Sequence, residues 1–91
     1  IRSISRTAAV EWGPDKILVN CIMPLAKSSG MEWWMNERPE EAAEFVKTIP
    51  LGKVGDCQED IGEAVCHLFS DGMSYITGST IMLDGGQAFL R

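Results

Sequence analysis

The sequence is short of the residue types from which most self-contained active sites are built. Its 91 residues include one histidine, one tyrosine and three cysteines. The cysteines, Cys21, Cys57 and Cys66, form an odd set with spacings of 36 and 9 residues, so no CxxC occurs. That excludes a dense secreted disulfide framework and leaves reduced, buried thiols in a reducing compartment, the cytoplasm, as the expectation. His67 has no second ligand at a metal-binding spacing, so no metal is expected. Lys and Arg number only eight, form no run, and leave a net charge of -5, which disfavours a nucleic-acid partner. No apolar run approaches the ~18–20 residues that span a bilayer, and no signal-peptide pattern opens the chain. No two glycines flank a single residue, so dinucleotide-type GxGxxG loops are absent; so are P-loops and GxSxG elbows.

What is there is ordinary for a globular protein: 45% apolar and 23% charged residues. A chain of this length can bury roughly 60–70% of its unfolded surface, enough for a core with little margin. Ile1, Ile4, Ala8 and Trp12 repeat at three or four residues, the stripe of an amphipathic helix already under way at residue 1. A helix that opens without a cap implies preceding chain. Gly13, taking a left-handed conformation, with Pro14 beyond, should close it. The run 17–23 is nearly all apolar and bounded by prolines, which predicts a parallel strand covered on both faces, ended by Pro24. Asn20 inside it must be hydrogen-bonded and reads as structural support.

Residues 25–30 should be loop, followed by a short helix around Met31, Trp33, Trp34 and Met35. A second helix starts at Pro39, buries Ala42, Phe45, Val46 and Ile49, and stops at Pro50. Asp56 is a predicted N-cap with Glu59 closing an acidic capping box. The helix over 57–70 shows Ile61, Ala64, Val65, Leu68 and Phe69 on one face. A loop over 73–78, a buried strand over 80–83 and a tight turn at Asp84, Gly85 and Gly86 complete the order. Strands separated by helices imply a right-handed crossover in a parallel sheet, and two strands alone do not make a stable one. The expected fold class is α/β, part of a larger sheet.

A Ser-His-Asp set through His67 is formally possible, but His67 lies off the apolar stripe near a helix end, where a solvated imidazole is favoured. Glu40 and Glu41, like Glu59 and Asp60, fall in first helical turns and read as capping and dipole partners.

The segments Arg6-Thr7-Ala8-Ala9-Val10-Glu11-Trp12-Gly13 and Ile17-Leu18-Val19-Asn20-Cys21-Ile22-Met23-Pro24 resemble the C-terminal part of a short-chain dehydrogenase/reductase. So do Pro50-Leu51-Gly52-Lys53-Val54-Gly55, Glu59-Asp60-Ile61, Ser70-Asp71 and, most specifically, residues 74–86. The pieces occur in family order over nearly the whole chain. The resemblance implies an incomplete Rossmann-type, doubly wound parallel sheet. Residues 1–91 would be the C-terminal segment of one NAD(P)-binding domain. The family's glycine-rich loop, catalytic Ser and Tyr-x-x-x-Lys pair would lie upstream. Tyr75 is followed by Ser79, not Lys, and is expected to pack structurally; no catalytic residue is assigned.

The resemblance further implies that the loop after the first strand closes over the nicotinamide of NAD or NADP. The family pattern there is Pro-Gly-x-x-x-Thr. Pro24 matches the Pro, Leu25 replaces the Gly, Lys27 stands at a backbone contact, and Ser29 keeps a hydroxyl at the Thr position. Leu is costly at the positive φ that Gly tolerates. The plain alternative is a surface loop. Met31, Trp33, Trp34 and Met35 fall where the family has a substrate lid; alternatively they pack against the next helix. The parent would interconvert an alcohol and a ketone, with a homo-oligomer surface formed by residues 57–70 and 79–83. The rival reading is a catalytically inert fragment acting only through protein-protein interaction.

Overall fold

The computed structural model describes residues 1–88. Its first helix, α1 (Arg2–Trp12), begins at Ile1 with no side-chain cap. The stripe that meets the rest of the molecule is not the apolar one. Arg2 Nε donates to Thr80 Oγ1 at 3.1 Å, Cys21 Sγ lies 3.1 Å from Ser5 Oγ, and Ala9 is buried beside Gly78. Arg2, Ser5 and Ala9 form an i, i+3, i+7 row, so Ile1 and Ile4 point outward, 94% and 74% exposed. Of the expected stripe Ala8 is half-buried, while Ile1, Ile4 and Trp12 stay exposed.

The helix closes later than expected. Gly13 stays right-handed (φ -56°) and opens a tight turn, Gly13–Asp15. Lys16 takes the left-handed angle instead (φ 63°). Its N–H donates to Gly13 O at 2.8 Å, and Ile17 N–H donates to Trp12 O at 3.2 Å. These two bonds form a Schellman closure that consumes helix-end carbonyls and holds a non-glycine residue in a conformation costing roughly 1–2 kcal/mol.

The strand β1 is Cys21–Pro24, shorter than the predicted run: Ile17 closes the preceding helix, and Val19 and Asn20 bond the segment 76–79. Val19 N–H donates to Thr77 Oγ1 at 3.0 Å, and Gly78 N–H donates to Val19 O at 2.8 Å. Asn20 bonds the same segment twice: Nδ2 donates to Ile76 O at 3.0 Å, and Oδ1 accepts from Ser79 N–H at 3.1 Å. Asn20 is thus the structural support expected. From that clamp β1 runs parallel to β2 (Thr80–Leu83), Cys21 opposite Thr80 and Pro24 opposite Leu83. Neither strand is fully covered: Ile22 and Met23 are 36% and 39% exposed, and β2 is half-buried.

Two helices follow β1. In α2 (Ser29–Glu37) the cap is Ser28, whose Oγ accepts from Met31 N–H at 3.3 Å, so Ser29 and Gly30 lie inside the helix and not in the loop. In α3 (Pro39–Lys47) Pro39 takes the first position, Ala42 and the following Ile49 are buried, and Phe45 and Val46 half-buried. The predicted helix over 57–70 is divided into a wide turn over Cys57–Gly62 and α4 (Glu63–Leu68). Its apolar face is half-buried apart from Phe69, which is exposed. A tight turn, Asp71–Met73, leads on to the clamp segment. Tyr75 is fully exposed, against the expectation that it packs; Cys57 and Cys66 are exposed and Cys21 half-buried, against the expectation of buried thiols.

The radius of gyration, 15.7 Å, exceeds the roughly 12 Å expected of a compact chain of this length. The accessible surface, 6838 Å², exceeds the roughly 5,200 Å² of a folded protein of the same mass. The surplus comes from uncovered helix and strand faces. Within this open frame the Asn20 clamp sets the register. Replacing Asn20 with Ala leaves the Ser79 N–H and Ile76 carbonyl unpaired, and the protein should lose about 1–3 kcal/mol in urea denaturation. A midpoint equal to wild type would show that water serves both groups as well.

Candidate functional site

The carboxyl ends of β1 and β2 are where ligands sit in open parallel sheets. The chain leaves β1 there through residues 24–28. Leu25 N–H extends the ladder by donating to Leu83 O at 2.9 Å. On its other side the loop is bonded to Gly55: Gly55 N–H donates to Leu25 O at 3.1 Å, and Lys27 N–H donates to Gly55 O at 2.7 Å. This parallel bridge of Ala26 with Gly55 fixes the loop between two backbone anchors. Leu25 is not among the residues with positive φ, so its substitution for Gly brings no left-handed strain.

The predicted residues gather at this end. Pro24 closes β1, Leu25 is half-buried, and Lys27 and Ser29 are exposed. The Lys27 N–H is taken by Gly55, while its carbonyl, among the described residues, meets the Cys57 thiol alone, at 3.7 Å. The Ser29 hydroxyl has no hydrogen-bond partner among the described residues. An exposed hydroxyl and a weakly engaged carbonyl match the donor and acceptor of a carboxamide.

The four aromatic and methionine residues divide. Met31, Trp34 and Met35 are half-buried on α2, and Trp34 meets Phe45 of α3 edge-on, with centroids 5.9 Å apart at 80°. Trp33 turns to solvent, 64% exposed. Met31, Trp34 and Phe45 line a shallow apolar groove with Ser28 and Gly30.

Sequence reasoning missed what anchors Gly55. Asp56 caps the following turn as expected, its Oδ1 accepting from Gln58 N–H at 2.9 Å and Glu59 N–H at 2.8 Å. The reciprocal bond comes from Asp60, not Glu59: Asp56 N–H donates to Asp60 Oδ2 at 2.7 Å. Asp56 O accepts from both Asp60 and Ile61 N–H, and this widened turn brings the fourth residue back to the cap. Lys53 Nζ lies 3.0 Å from the same Asp60 oxygen. The Asp56 N–H, then the Lys53 ammonium, hold the Asp60 carboxyl below its usual range. Asp60 in turn raises Lys53 above the usual lysine range, first by hydrogen bond and then by charge.

Across from the loop, Asp84 is buried, its two carboxylate oxygens accepting from Gly86 N–H at 3.0 Å and Ala88 N–H at 2.9 Å. Gly85 has φ 63°, and a Cβ there would lie 2.9 Å from Ile49 Cγ2, so glycine is required where this turn crosses the end of α3.

Residues 1–88 match the family described as enoyl-(acyl carrier protein) reductase. The chain belongs to the short-chain dehydrogenase/reductase family. It is 40% identical over 86 residues to the 12α-hydroxysteroid dehydrogenase of Clostridium sp., a match spanning 94% of this chain and 33% of that protein. It superposes on an oxidoreductase of the same family from Burkholderia thailandensis with a TM-score of 0.82 at 28% identity, covering 94% of this chain and 34% of that one. On YwfH, an NADPH-dependent reductase involved in bacilysin biosynthesis, the TM-score is 0.85 at 25% identity, covering 99% and 37%. The chain therefore spans about a third of these relatives, and its two strands and helices are part of their Rossmann-type α/β fold. Among the described residues no helix is long and apolar enough to cross a membrane.

The Asp60 carboxylate, held below its unfolded value, contributes stability that is present above that value and lost as pH falls through the depressed one. Lys53, raised, contributes below the ordinary lysine range and loses its share as pH rises through the raised value. Exchange protection of the Asp56 amide, measured by NMR, should therefore hold from about pH 5 to 9 and fall below about pH 4. Protection undiminished at a pH where the Asp60 carboxyl is itself seen to be protonated by its carbon-13 shift would mean the neutral acid serves equally well.

Proposed function

We propose that residues 1–91 are the C-terminal segment of a single NAD(P)-binding domain, in an oxidoreductase that interconverts an alcohol and a ketone. The observation that carries this reading is the anchored loop at the carboxyl ends of two parallel strands, in a chain of this family. Pro24 and Leu25 set the loop's course. The Lys27 carbonyl and the Ser29 hydroxyl offer one acceptor and one donor to the nicotinamide carboxamide. The bound dinucleotide would supply or accept the hydride. The chain's own residues bind and orient; proton transfer falls to residues outside it. NADPH dependence is described for one structural relative, which supports a nicotinamide cofactor without choosing between NAD and NADP.

Met31, Trp33, Trp34 and Met35 form the substrate lid of this reading. Trp34 holds the lid to α3, and Trp33 presents a free indole face suited to an apolar alcohol or ketone. Phe69, 86% exposed beside β1, supports a homo-oligomer surface on the last helix. A cytoplasmic protein accords with three free thiols.

The second reading, an inert fragment acting through protein contacts, is favoured by the uncovered apolar residues of α1 and by Phe69 beyond the end of α4. Titration of the 91-residue chain with NADH and NADPH separates the two: micromolar binding counts against the inert fragment. In the full-length protein, Ser29→Ala should weaken cofactor binding by about 1 kcal/mol, or about fivefold in Kd. An unchanged Kd would remove Ser29 from the site. Trp33→Ala should raise KM for bulky substrates about tenfold with no loss of stability, whereas Trp34→Ala should lower the melting temperature. A stability loss alone in both variants would make the lid a packing feature.

A further inference from the structure

We infer that Asp60 is a positioning residue for the cofactor loop, acting through Gly55; this rests on the proposed role of residues 24–29. Among the described residues the loop's side-chain hydrogen bonds lie at its far end, the Ser28 hydroxyl accepting from Met31 N–H at the start of α2 and the Cys57 thiol near Lys27 O. On the side away from β2 it is held by two backbone bonds to one residue, Gly55, at 2.7 and 3.1 Å. Gly55 is fixed in turn. A Cβ there would meet Leu25 O at 3.0 Å and Asp60 Cβ at 3.3 Å, so its backbone is pressed between the loop and the Asp60 side chain. The next residue, Asp56, gives its N–H to Asp60 Oδ2 at 2.7 Å, and Lys53, two residues before Gly55, reaches the same oxygen at 3.0 Å.

One carboxylate oxygen thus ties both flanks of Gly55 to the turn over Cys57–Gly62. The bonds converge on a charged acceptor, where hydrogen bonds are roughly twice as strong as between neutral groups. When this tie is cut, Gly55 can shift, and Leu25 and Lys27 lose their outer anchor together. The ladder bond of Leu25 to Leu83 remains, so the effect is confined to the loop and spares the sheet.

The test uses the full-length protein and two readouts. Lys27 is exposed and sits in the anchored loop, so trypsin cleavage after it reports loop opening; cleavage after Lys16, exposed at the far turn, reports general loosening. Asp60→Ala should speed cleavage after Lys27 about tenfold and leave Lys16 near its wild-type rate. The same variant should weaken NAD(P)H binding about fivefold while kcat at saturating cofactor changes little. Lys53→Arg, which keeps the ion pair, should behave as wild type in both assays. If Asp60→Ala does not fold, Lys53→Met, which removes only the ion pair, should shift both readouts in the same direction by less.

Lys27 and Lys16 cleavage rising in step, or neither rising, overturns the positioning role. Faster cleavage after Lys27 with unchanged NAD(P)H affinity also overturns it, since the loop would then be loosened without consequence for the cofactor. Failure of the wild type itself to bind NADH or NADPH would instead overturn the function proposed for the loop, and this inference with it.

Discussion

A parallel pair of strands has no hairpin to set its register, so something outside the ladder must do so. In this chain the work falls to the Asn20 carboxamide. Its donor and acceptor span Ile76 to Ser79, and with the Val19 bonds they hold two segments more than fifty residues apart side by side before the ladder begins. A one-residue slip would move every side chain of β2 to the opposite face. It would also withdraw Leu83 from Leu25 and carry the Asp84 turn away from Ile49 and Pro50. The candidate site lies at the far end of this ladder and inherits its alignment from the near end.

The site is built mainly from backbone. Residues 24–28 are placed by Leu83 on one side and Gly55 on the other, and side chains enter at the next level, where Asp60 fixes Gly55 and Ser28 starts α2. This arrangement explains how the family's glycine position can hold Leu25. The loop's course comes from its anchors and needs no left-handed residue there. It also leaves the exposed side chains, Lys27, Ser29 and Trp33, free to meet a ligand without carrying the fold.

Legibility in the sequence followed the range of the forces involved. α3 could be read completely, because Pro39, the acidic first turn and the Ala42, Phe45, Val46 and Ile49 face are local signals. The buried-polar rule identified Asn20 without saying which groups it served. The orientation of α1 could not be read, since Arg2, Ser5 and Ala9 face the sheet only because Thr80, Cys21 and Gly78 happen to meet them. The exchange of Glu59 for Asp60 depended on a widened turn that one-dimensional spacing does not encode. Tyr75, Phe69 and the thiols were misjudged for a shared reason: burial of an apolar group needs a covering layer, and this chain supplies few. A loop after Pro24 was legible from the residues themselves, two positions too long because Ser29 and Gly30 open α2; its two anchors were not.

The parallel pairing also imposes an order of events in time. Cys21 is joined to a residue 59 positions later in the chain. At a synthesis rate of about 5–20 residues per second, roughly 3–12 s separate the emergence of the two strands. Throughout that interval β1 has no neighbour from this segment, and the loop that follows it has neither Gly55 nor Leu83 to hold it at first, then only Gly55. This stretch of nascent chain therefore carries an open strand edge and bare apolar helix faces until β2 has been made, which exposes it to off-pathway association during those seconds.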